Sequence, residues 1–87
     1  MPDSYVITIT VKLFAIYRER VGVGQIILQL PLSSTVGDVL AELNGKHPEL
    51  TPLIDHTFVA LNQEYVTSSD KVEDGDEIAI IPPVSGG

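Results

Sequence analysis

The chain has 87 residues, no cysteine, twelve acidic against five basic side chains, and a formal charge of −7. That is the size of one small domain; without cysteine there is no disulfide framework, no thiolate metal site and no cysteine nucleophile. The cations Lys12, Arg18, Arg20, Lys46 and Lys71 are scattered along the chain, which argues against nucleic acid and favours a protein partner with a basic docking face.

Residues 5 to 14 are read as alternating. Tyr5, Ile7, Ile9, Val11 and Leu13 share one face, and Thr8, Thr10 and Lys12 share the other. Period two with β-branched residues predicts a half-buried strand. Phe14 then falls on the polar face. The stretch "AIYRERVGVG" reads as a turn region closing on glycines. "QIILQL" is a second strand, with Ile26, Leu28 and Leu30 on one face, ended by Pro31. The two strands are expected to form a hairpin.

The period then changes. Val36, Val39, Leu40 and Leu43 make the stripe of an amphipathic helix. Thr35 is its expected N-cap, with Asp38 near the positive end of the dipole. Pro48 requires the helix to stop by about His47, and Asn44-Gly45 offers an earlier end. "PELTPLIDHT" is expected as a loop and "FVAL" as a short strand. Asn62-Gln63-Glu64 turns the chain into Tyr65-Val66. "EDGDE" is a second turn, with Gly75 free to take positive φ, and "EIAII" is the last strand. Strands flanking a single main helix predict an α+β domain. The compact arrangement is a ubiquitin-like β-grasp over residues 1–81, a mixed sheet wrapped on one helix, followed by a protruding tail over residues 82–87.

"YVITITVKLFAIY" is too short to span a membrane and carries Lys12. "MPDS" is acidic rather than basic, unlike a signal peptide. A cytoplasmic protein is expected. Chemistry is sparse. His47 and His56 read as a helix-end and a loop histidine, so no metal site is expected. "DKVEDGDEIAII" fails as a calcium loop, because the third and last ligand positions would be Val72 and Ile81. No nucleophile–base pair carries a supporting signature.

The remaining feature is "PPVSGG". Pro82-Pro83 favours extended geometry that projects the chain end away from the sheet. Gly86 and Gly87 have no β-carbon, so their backbone fits a channel too narrow for other residues. A terminal carboxylate there is unhindered. A protruding, accessible carboxylate suits a chain whose own C-terminus is the reacting group.

"KLFAIYRERVG", "STVGDVLAELNGKHPEL", "VALNQEYV" and above all "VEDGDEIAIIPPVSGG" resemble the small subunit (MoaD) family of molybdopterin synthase, ubiquitin-like sulfur carriers, over nearly the whole chain. Ile80 and Ile81 stand where aromatic residues often occur in that family. The resemblance implies that Gly87 is adenylated by an E1-like (MoeB-like) enzyme using ATP and Mg2+, with no cofactor held by the domain itself. Sulfur from a persulfide donor then replaces the adenylate to give a thiocarboxylate. A large (MoaE-like) synthase subunit receives Pro82, Pro83, Val84, Ser85 and Gly86 in a channel, and sulfur passes to cyclic pyranopterin monophosphate in molybdenum cofactor biosynthesis. The domain is then a sulfur-donating subunit without an active site of its own. The alternatives are a related carrier, for thiamine thiazole or tRNA thiolation, and a covalent protein modifier. Strand parity adds a docking patch: Phe14, Tyr65 and Ile81 are apolar residues assigned to the wet face near the root of the tail. The same family resemblance assigns these positions to contacts with both partners.

Overall fold

The computed structural model describes residues 6–54 and 57–82. The alternating segment forms β1 (Val6–Leu13), and its burial alternates with it. Ile7, Ile9, Val11 and Leu13 are all 2% exposed or less, while Thr8, Thr10 and Lys12 are partly open. β2 (Gln25–Pro31) lies antiparallel to β1, with Ile9 opposite Leu28 and Val11 opposite Ile26.

The connection between them is not a plain turn. Residues Ala15–Val21 form a short helix, α1. Tyr17 anchors it in the core at 1% exposure. Gly22 ends it at φ 95°, its N–H donating to the Arg18 carbonyl at 2.8 Å. A left-handed residue after the last turn is a common helix stop, and glycine takes it without strain. The glycines do mark the end of an element, as their spacing suggests. What they close is a helix, because Tyr17 and Val21 sit one turn apart and both meet the core.

The main helix, α2, spans Val36–Lys46. Thr35 caps it as expected, and reciprocally: Asp38 N–H donates to Thr35 Oγ1 at 3.3 Å, and Thr35 N–H donates to Asp38 Oδ2 at 2.9 Å. Asn44-Gly45 does not end it; the helix runs on to the residue before His47. Val36, Val39 and Leu43 are fully buried against the inner face of the sheet. The expected loop from Pro48 contains a 3₁₀ turn (Pro48–Leu50) and a one-turn helix, α3 (Thr51–Ile54). Leu50 drives that stretch into the core.

β3 (Phe58–Leu61), β4 (Glu64–Tyr65) and β5 (Glu77–Ile81) complete the sheet. Asn62 and Gln63 carry φ of 49° and 75° in the two-residue turn between β3 and β4, the geometry that suits a tight hairpin. The sheet order is β2-β1-β5-β3-β4. β5 runs parallel to β1 and antiparallel to β3. This is the expected mixed sheet on one principal helix, a ubiquitin-like β-grasp.

Candidate docking face and tail root

β5 is the central strand, and its five residues divide by parity. Ile78 and Ile80 are fully buried. Ala79 and Ile81 face the side away from α2, where they meet the outward residues of both neighbouring strands. The register puts Lys12 beside Ala79 on one flank, with Ala60 on the other. One step further, Phe58 pairs with Ile81. Leu13 pairs with Ile80, so Phe14 comes level with Ile81. Tyr65 lies across from Ala60.

Small residues in the middle and large ones at the border make a shallow apolar face. Phe14 is 48% exposed, Phe58 50% and Tyr65 74%. Phe58 and Tyr65 meet edge to face, with ring centroids 6.2 Å apart at 70°. Of the three residues assigned to the patch by parity, Phe14 and Tyr65 are open, as expected. Ile81 is only half-buried rather than fully outside, because it lies between Phe58 of β3 and Phe14, the residue that follows β1. Phe58 is the member that strand parity, applied to the longer strands alone, leaves out. The signal was there: in "FVAL", Val59 and Leu61 take the inner face, which sends Phe58 outward.

The face has a charged rim. Lys12, Phe14, Arg18, Gln63 and Glu77 border a depression of about 390 Å³ floored by Ala60 and Ala79. Lys12 Nζ lies 3.9 Å from Glu77 Oε2. Two of the chain's five cations thus stand beside the apolar residues. A second groove of about 630 Å³ runs between Leu40 of α2 and the β3–β4 edge, with Phe58 and Tyr65 on its wall.

The chain leaves the sheet beside this face. Thr57 Oγ1 donates to the Ile81 carbonyl at 3.0 Å, fixing the end of β5. Pro82 is half-buried. Pro83, Val84, Ser85, Gly86 and Gly87 lie outside the described residues, as do Tyr5 and His56.

The acidic turn before β5 is structural in its contacts. Asp74 Oδ1 accepts from Thr8 N–H at 2.7 Å, and Asp76 Oδ2 accepts from Glu73 N–H at 2.7 Å. Gly75 takes φ 86°. Carboxylates bonded to backbone donors build a turn rather than a calcium cage. Among the described residues no three His, Asp or Glu side chains gather into a metal site, and no helix is long and apolar enough to cross a membrane.

A β-grasp whose central strand runs out through an apolar face defines a ubiquitin-like domain. The chain belongs to the ThiS family, whose model matches residues 11–87. It is similar to the molybdopterin synthase sulfur carrier subunit of Arabidopsis thaliana, at 45% identity over 85 residues, 98% of this chain and 88% of that one. It is also similar to small archaeal modifier protein 1 of Haloferax volcanii, at 38% identity over 84 residues, 87% of this chain and 97% of that one. A crystal structure of the Haloferax volcanii modifier SAMP1 superposes with a TM-score of 0.84 at 35% identity, covering 92% of this chain and 99% of that one.

Proposed function

We propose that this chain is the sulfur-carrying small subunit of a cytoplasmic molybdopterin synthase. The observation that carries the reading is the 45% identity, over 98% of the chain, to a relative named as that subunit. An E1-like enzyme binding ATP and Mg2+ adenylates the Gly87 carboxylate, which turns a poor leaving oxygen into a good one. The terminal sulfur of a persulfide displaces AMP to give an acyl disulfide on Gly87. A second thiol then cleaves the S–S bond, leaving the Gly87 thiocarboxylate and a disulfide on the donor side. Docked on the large synthase subunit, the tail delivers this sulfur to cyclic pyranopterin monophosphate.

The domain's own part is positioning. Phe14, Phe58, Tyr65 and Ile81 form the surface on which each partner sits in turn. Thr57 holds the carbonyl of Ile81, so the docked face and the tail root are one rigid unit. Pro82 to Gly86 then thread the partner's channel. Adenylation and transfer are carried out by groups of the partners.

Intact-mass measurement tests the chemistry. After incubation with the adenylating enzyme, ATP, Mg2+, a persulfide donor and a thiol reductant, the chain should gain the mass of one oxygen-to-sulfur exchange. Deleting Gly87, or adding one residue after it, should abolish that gain and molybdopterin formation while the fold survives. A truncated chain that still supports molybdopterin formation at the normal rate refutes the reading. The similarity to a modifier protein favours a second reading, in which a lysine amine attacks the same adenylate to give an isopeptide. Ladders of higher-mass conjugates in cell extract would reveal that use.

A further inference from the structure

β2 is the outermost strand on the side of the sheet opposite β4. Its residues Gln25–Pro31 include no charged side chain, although the chain carries −7. The direction of its peptide groups follows from the ladder. Leu13 N–H donates to the Gly24 carbonyl at 2.9 Å, and the register continues that pair as Val11 with Ile26, Ile9 with Leu28 and Ile7 with Leu30. Bonded and non-bonded pairs alternate in an antiparallel ladder. Ile26, Leu28 and Leu30 therefore turn their N–H and C=O groups to β1. Gln25, Ile27 and Gln29 turn theirs to the open edge. Pro31 is the next outward residue, and its missing N–H is tolerated there. Among the described residues nothing pairs with this edge, and Ile27 is 54% exposed. An uncharged, unpaired edge is a template for another strand.

We propose that this edge pairs with its own counterpart in a second copy of the chain, antiparallel, about a twofold axis at Ile27. In that register Ile27 faces Ile27 of the second copy, and Gln25 faces Gln29. On the core side Ile26 meets Leu28. The segment reads glutamine, isoleucine, glutamine along its outward positions in either direction, so one register satisfies both chains at once. Each outward residue then donates and accepts one main-chain hydrogen bond. Cross-strand amide and isoleucine pairs add to these, and no like charges meet along the seam despite the acidity of the whole. A strand of unrelated sequence would match the edge in hydrogen bonds but not in this symmetry. The contact involves about five residues per chain, against roughly 20–30 a side in a standard complex, so the dimer is weak. It leaves the Phe58–Tyr65 face free, and it tightens with salt as the net repulsion of two acidic copies is screened.

Sedimentation equilibrium on the full chain, from about 10 μM to about 1 mM at low and high salt, tests it. The mean mass of the wild type should rise toward the dimer, more steeply at high salt. Ile27→Lys, which sets two ammonium groups on the axis, should stay monomeric, while Ile27→Val should dimerise. The natural absence of cysteine permits a test of register. Ile27→Cys brings two Cα atoms to about 5.5 Å, within disulfide reach, whereas the two copies of Gln25→Cys lie roughly 13 Å apart along the strands. Under mild oxidation Ile27→Cys should cross-link about tenfold faster than Gln25→Cys. Circular dichroism checks that each variant folds, and the cysteine pair decides the matter should Ile27→Lys fail to. A wild type that remains monomeric at about 1 mM, or equal cross-linking rates for the two cysteine variants, overturns the proposal.

Discussion

Tyr65→Ala separates docking from folding better than any other change on the outer face. Tyr65 is 74% exposed, and its visible contact is the ring edge of Phe58 at 6.2 Å. Such a pair is worth about 0.5–1.5 kcal/mol, which bounds what the free domain loses. Docking has more to lose. A tyrosine buries roughly 200 Å² when fully covered, so about 150 Å² of Tyr65 remains for a partner to cover. At about 25 cal/mol per Å² that is nearly 4 kcal/mol, reduced to about 2–3 kcal/mol by desolvation of the hydroxyl. The expected weakening is about 30- to 150-fold. The same reasoning gives about 2.5 kcal/mol for Phe58→Ala, with about half of the ring outside. Because the two rings touch, the double variant should lose less than the sum. Isothermal titration against the adenylating enzyme and against the large subunit reads both losses, and a thermal melt of the free chain reads the stability. Unchanged affinity for both partners in a folded Tyr65→Ala chain would show that docking uses another surface.

Three further outcomes are expected. On the proposed reading, in which the tail threads a partner channel too narrow for a side chain, Gly86→Val should lose activation or sulfur transfer with little change in melting temperature; full activity would sink the channel argument. Ala15 sits at φ 50° at the start of α1, a conformation costing an L-residue about 1–2 kcal/mol. Ala15→Gly relieves that against a somewhat larger chain entropy on unfolding, for a net gain of about 0.5–1 kcal/mol, read as a rise of several degrees in Tm; a fall would show that the strain is absent. Thr35→Ala removes the hydroxyl of the reciprocal cap on α2 and should cost about 1 kcal/mol, roughly 4–8 °C in a domain of this size. Equal melting curves would mean that water replaces the cap freely.

Where one physical signal dominated, the sequence could be read directly. β1 was legible because apolar and polar residues alternate from Ile7 to Leu13 and one of its faces is buried. α2 was legible because its apolar stripe, cap and terminating proline agree. α1 was not, because a seven-residue helix holds fewer than two full apolar repeats, and a pair of glycines reads equally as a turn. Its position is decided by Tyr17 entering the core, which is a tertiary contact. The apolar outer face was half legible. Parity along single strands put Phe14 and Tyr65 outside. That Ile81 is flanked on both sides depends on β5 lying between β1 and β3, and order across a sheet is not written in any one strand. Parity within its own strand already sends Phe58 outward, but its place in the face depends on its neighbours Ile81 and Tyr65 across the sheet.

The central position of β5 ties stability to function in a way that constrains this chain. Ile78 and Ile80 are among the most buried side chains in the domain, and the alternate residues Ala79 and Ile81 form the middle of the outer face. A shift of one residue in the pairing of β5 would exchange the two sets. It would push Ala79 and Ile81 into a core shaped for Ile78 and Ile80, and it would move the tail root by about 3.3 Å. The turn before the strand opposes such a slip. Asp74 binds Thr8 N–H and Asp76 binds Asn62 Nδ2 at 3.0 Å, so the start of β5 is tied to both β1 and the β3–β4 turn. At the other end Thr57 holds the Ile81 carbonyl. The acidic turn thus has a role at a distance. By fixing the register of one central strand it sets which apolar residues the outer face presents, and where the chain leaves the sheet relative to them.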